Sequence, residues 1–100
     1  MLENKDLFLQ LVIMFQTAAY QQMGKVKNPL TDKIEKDLAQ AQFSIDMLGM
    51  LQEKSKGNLT DEEKKYLELA LYELRMNYLD EVKKAKESKT KESKPESEKD

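Results

Sequence analysis

Ile45-Asp46-Met47-Leu48-Gly49-Met50-Leu51-Gln52-Glu53-Lys54-Ser55-Lys56-Gly57-Asn58-Leu59-Thr60 is the stretch whose reading decides the fold. It holds the end of one helical pattern, a tight corner and the cap of the next. Gly57 ends the first helix, and Asn58 and Leu59 turn the corner. Thr60-Asp61-Glu62-Glu63 then reads as a capping box. In such a box the Thr60 hydroxyl accepts from the amide three residues on, and the Glu63 carboxylate reaches back to the Thr60 amide. Three acids in the first turn also suit the helix dipole. Capping accounts for this carboxylate cluster without a catalytic or metal-binding role.

Downstream of the corner a helix is expected over 61–84. Leu67, Ala70, Leu71, Leu74 and Tyr78 share one face, and Leu69, Tyr72, Met76 and Leu79 form a second apolar stripe. Upstream, a helix is expected over 31–54. Ile34, Leu38, Ala41, Ile45 and Leu48 step by threes and fours along one face, with Phe43, Met47 and Met50 on the opposite side. Either Asn28 or Thr31 caps this helix, and Asp32 beside the dipole favours Thr31. Gly49 lies inside it, at a cost of up to ~1 kcal/mol relative to alanine. A close backbone neighbour is the simpler reason for that glycine; a ligand approach point is the other.

The first helix is expected over 5–23, followed by Gly24 in the left-handed region. Its Leu7-to-Phe15 run leaves Gln10, Thr17 and Gln21 as the main polar stripe. A helix apolar almost all round is buried on most sides, and one hairpin partner does not cover it. The run resembles a signal-peptide core. However, Glu3 and Asp6 outweigh Lys5 ahead of it, whereas a secretory n-region is net positive. It is also far short of the ~20 residues that span a bilayer. A soluble, cytoplasmic protein is expected, with no membrane partner. From residue 85 to 100 the chain is Lys-, Glu- and Ser-rich with almost nothing apolar, so a disordered charged tail is expected after a three-helix domain over 1–84.

The chain has 100 residues, a net charge of −2 and no cysteine, histidine or tryptophan. One small domain fits that length. Lacking Cys and His, it has no disulfide framework, no thiolate zinc site and no histidine base. No nucleophile–base pair, phosphate loop or metal-ligand spacing is present, so no enzyme activity and no cofactor are expected. The tail leans basic in its first half. Its interleaved acids and missing aromatics make it a solubilising segment ahead of a nucleic-acid arm, and nucleic acid is not an expected partner.

The apolar run from Phe8, Gly24, Asn28-Pro29, the block Glu53-Lys54-Ser55-Lys56-Gly57-Asn58-Leu59-Thr60-Asp61-Glu62-Glu63 and Leu71-Tyr72-Glu73-Leu74-Arg75-Met76-Asn77-Tyr78 together resemble the small bacterial family DUF1844. The likeness covers most of the chain ahead of the tail. Ser55 stands where that family often has threonine. The resemblance implies a short, helical, cytoplasmic bacterial protein. It implies no activity and carries over no functional residue.

Asp46 and Arg75 are charged positions bordered by apolar stripes. An ion pair between the two helices, or across a subunit boundary, is the expectation; an anion site on Arg75 is the functional alternative. One core has room for one stripe of each helix. Phe43, Met47, Met50, Leu69, Tyr72, Met76 and Leu79 are therefore expected to form an interface in a homo-oligomeric helical bundle, most simply a two-fold dimer. The function expected is protein–protein interaction or scaffolding, with self or with a partner that the sequence does not name. The competing class is a small-ligand binder with a pocket near Gly49, Phe43 and Tyr72.

Overall fold

The computed structural model describes residues 3–92, and side chains over 3–87. It is all-α, with three helices: α1 (Asn4–Gln22), α2 (Leu38–Lys54) and α3 (Asp61–Glu92). Every pair of helices is in contact. None of the described helices is long and apolar enough to cross a membrane.

Each helix end has a local cause. At the end of α1, the Gly24 amide donates to Gln21 O (3.0 Å) and the Lys25 amide to Tyr20 O (2.9 Å). This Schellman pair needs a left-handed residue, and Gly24 supplies it at φ +85°. Gly57 is also left-handed, at φ +87°, but it lies beyond the Ser55 cap of α2, inside the corner turn that the Asn58 amide closes on Ser55 O at 2.9 Å. The capping box forms as read from the sequence: the Glu63 amide donates to Thr60 Oγ1 (3.1 Å) and the Thr60 amide to Glu63 Oε1 (2.8 Å). The Glu63 side chain is buried at this corner. Thr60→Ala is expected to cost about 1 kcal/mol. An unchanged urea midpoint would show that the cap contributes nothing.

The start of α2 differs from the expectation. It begins at Leu38, not at 31, and neither Asn28 nor Thr31 caps it. Asp37 does, accepting from the Gln40 amide at 3.1 Å. The cause lies in residues 28–33, which fold on themselves. Asn28 Oδ1 accepts from the Leu30 amide (2.9 Å), Asn28 O accepts from the Asp32 amide (2.7 Å), and the Asn28 amide donates to Lys33 O (2.8 Å). Asp32 sits at φ +57°, a conformation that Asp tolerates and a helix does not. Local hydrogen bonds from Asn28 thus outcompete helix formation. Ile34 consequently lies in the loop with 57% of its surface exposed, outside the core it was expected to join.

α3 also runs past its expected end at 84, continuing to Glu92. The tail expected over 85–100 is therefore helical in its first part; residues 93–100 lie outside the described residues.

The core draws on all three helices: Val12 and Ala19 of α1 with Met23 after it, Ala41, Ile45 and Leu48 of α2, and Leu67, Ala70, Leu71 and Leu74 of α3. On α2 and α3 this is the stripe that periodicity assigns to the inside, less Ile34 in the loop and Leu38, which is only partly buried. Phe8, Phe15, Tyr20 and Tyr78 pack around it.

Candidate functional site

α2 and α3 line two shared hollows. One, of about 500 Å³, lies at the corner, between Gln52 and Glu53 on α2 and Lys64, Leu67 and Glu68 on α3. The other, of about 270 Å³, lies between Gln42, Ile45 and Asp46 on α2 and Arg75, Tyr78 and Leu79 on α3. Rising numbers on α2 thus meet falling numbers on α3, so the two helices run in opposite directions. Gly49, Phe43 and Tyr72 line neither hollow, so the pocket imagined around them is not one of these.

The side of this hairpin on which α1 lies follows from two hydrogen bonds. Ser44 on α2 pairs with the Gln22 carboxamide at 2.7 Å, and Tyr66 on α3 donates to Gln16 Oε1 at 2.7 Å. The Gln22 amide is best read with its nitrogen toward Gln40 O (3.0 Å) and the Ser44 hydroxyl. Burial in this α1–α3 seam pushes the Tyr20 hydroxyl pKa up, and the Glu73 carboxylate adds to the shift. At ~100° per residue, Asp46 lies about 160° around α2 from Ser44. Leu79 lies about 140° around α3 from Tyr66 by the same spacing. Asp46, Tyr72, Arg75 and Leu79 therefore look away from α1.

Apolar side chains stand exposed on both helices. Phe43, Leu69, Tyr72, Met76 and Leu79 are each more than half exposed, and Met50 is 40% exposed. Six of the seven residues expected at an interface thus stand in solvent. Met47 differs: it is half-buried, and at ~100° per residue it lies only about 60° around α2 from the α1-facing Ser44. Leu7, Leu11 and Met14 form a smaller exposed stripe along α1.

Asp46 and Arg75 share one hollow, but no salt bridge joins them among the described residues. Instead the Asp46 carboxylate accepts from Gln42 Nε2 at 2.8 Å, one turn back on α2. Arg75 is the neighbour that a side chain at the helical glycine would meet. A Cβ on Gly49 would stand 3.3 Å from an Arg75 guanidinium nitrogen. The close neighbour is thus a side chain and not the backbone that the sequence suggested. The missing methyl lets Arg75 lie along α2.

One ionic cluster went unread in the sequence. The Glu81 side chain, 8% exposed, takes Lys25 Nζ at 2.7 Å and Lys36 Nζ at 2.9 Å on its two oxygens. Lys84 approaches at 3.4 Å. Hydrogen bonds from Lys25 and then Lys36 lower the Glu81 pKa from 4.5 to about 2 against the opposing effect of burial. Asp80 raises the Lys84 pKa through a hydrogen bond and its charge. The cluster ties both ends of the α1–α2 loop to α3, and the Lys36 stem lies across Gly24. A sequence signal existed: Glu81 follows Leu74 and Tyr78 in phase with the core stripe, where a lone acid calls for a cationic partner.

Comparison with curated proteins gives no match, and comparison with solved structures gives none either. A family profile, described as Domain of unknown function (DUF1844), does match, over residues 5–80. That span holds all of the core, the capped corner and the outer face, and by it this chain belongs to the DUF1844 family.

Proposed function

We propose that this chain is a helical protein-interaction module that pairs with a second copy through the outer face of the α2–α3 hairpin. The observation that carries the reading is the exposed apolar surface of the two helices: Phe43 and Met50 on α2, and Leu69, Tyr72, Met76 and Leu79 on α3. Each leaves on the order of 100 Å² in solvent, roughly 600 Å² in all, at the upper end of what soluble monomers show in one patch. A standard interface takes ~800 Å² from each partner. Burying several such side chains at ~1.5–3 kcal/mol each offsets much of the cost of association. The unbranched methionines adapt to the facing surface. In this reading the chain is a binder and scaffold and not a catalyst.

Light scattering across a micromolar concentration series tests the reading. A mass of two chains is the expected result, and a single-chain mass throughout would reject it. Phe43→Glu combined with Met76→Glu should give a monomer of unchanged helicity, because both side chains are exposed in the single chain. A dimer indifferent to both charges would move the interface to the Leu7, Leu11 and Met14 stripe.

A further inference from the structure

We propose that Arg75 of each copy pairs with the partner's Asp46, so that two symmetric ion pairs set the register of the dimer. The inference rests on the self-association proposed above and adds its geometry. Asp46 and Arg75 flank the groove between α2 and α3, beside the exposed apolar residues Phe43, Met50, Tyr72 and Leu79. Both are exposed, and neither has a salt-bridge partner among the described residues. They stand on opposite walls of one hollow, with Gly49 holding room for the guanidinium and Gln42 holding the carboxylate.

A two-fold interface is self-complementary: what residue i meets on residue j, residue j meets on residue i. A two-fold axis in the plane of the face, running along the groove between the helices, carries α2 of one copy over α3 of the other. Asp46 then lies over the partner's Arg75, and the reverse holds at the symmetric position. The apolar residues fall into the same register. Phe43 faces the partner's Leu79, and Met50 faces the partner's Tyr72, because positions on the two helices descend and ascend together. One acid and one base on each copy then cancel across the interface. A dimer built by sliding the face would bury an arginine and an aspartate against apolar side chains, at high cost.

Charge reversal tests the pairing. Asp46→Arg alone, or Arg75→Asp alone, sets like charges opposite each other twice in a homodimer. Each should raise the dimer dissociation constant at least ~100-fold. Mixing the two variants in equal amounts should restore a dimer containing one of each, read by native mass spectrometry. An ion pair within one chain would not be repaired by mixing.

Singles that dimerise like the unmodified chain, or a mixture that stays monomeric, would overturn the pairing while leaving self-association standing. An unmodified chain that is monomeric at every concentration would remove both. Circular dichroism checks that the variants fold. If a reversal loses its helicity, Asp46→Asn and Arg75→Gln replace it. Salt should weaken the unmodified dimer, and that dependence should shrink in either neutral variant; an unchanged dependence would overturn the pairing.

Discussion

Leu48→Ala is expected to lower the unfolding free energy by about 3 kcal/mol, within the range for buried leucines. Leu48 has no exposed surface. It belongs to the cluster that joins Val12 and Ala19 of α1 to Leu67, Leu71 and Leu74 of α3. All three helices meet there, so the neighbours cannot close the cavity without moving a whole helix. Three kcal/mol is a large part of the ~5–15 kcal/mol that folded domains possess. The matched control is Ile34→Ala. Ile34 has the same periodic phase in the sequence but lies exposed in the loop, so its change should stay within about 0.5 kcal/mol. Urea titrations at one fixed protein concentration compare the two, since association adds apparent stability. Equal losses at both positions would mean that α2 extends back through residue 34.

The second large effect is expected at Glu81, and it depends on pH. A carboxylate whose folded pKa is depressed stabilises the fold above its unfolded pKa. That contribution is lost as pH falls from the ordinary 4.5 through the folded value of about 2. Taken at full weight the shift corresponds to about 3 kcal/mol. The lysines are 27% and 39% exposed, so solvent screening reduces this to roughly 1–2 kcal/mol. Glu81→Gln should cost a similar or somewhat larger amount at neutral pH, because Lys25 and Lys36 lose their counter-charge. It should also flatten the fall in stability between pH 4.5 and 2. Thermal midpoints over that window give the test. A variant with the same acid slope as the unmodified chain would show that other carboxylates carry the pH response.

Much of the exposed apolar surface was legible in the sequence, for a physical reason. Helical periodicity divides each helix into two apolar stripes, and a small domain buries only one. The assignment of Leu67, Ala70, Leu71 and Leu74 to the inside followed from their alignment with the α2 stripe across a short corner. Their neighbours Leu69, Tyr72 and Met76 were thereby left outside. Met47 departs from this pattern because its flank of α2 turns toward α1, and the placement of a third helix is not written in the period of the second.

What the sequence alone determined was whatever a few consecutive residues settle through their own hydrogen bonds. The Thr60–Glu63 box and the left-handed glycines at 24 and 57 are of this kind. The outward turn of one stripe on α2 and on α3 was legible as well, from helical period and not from hydrogen bonds. The start of α2 is also local, but there two signals conflicted, the phase of Ile34 and the turn chemistry of Asn28, and the hydrogen bonds outweighed the phase. Only the tertiary structure decided which charges meet. Glu81 finds Lys25 and Lys36 because α3 passes beneath a loop distant in the sequence. Arg75 lies against Gly49 because of how two antiparallel helices are rotated about their own axes, and Asp46, left without it, takes Gln42 one turn back on its own helix. Charge pairing acts over a few ångströms, and periodicity specifies a face only to within about a quarter turn. Side chains several residues apart on that face compete for the same partner, and the packed backbone selects among them.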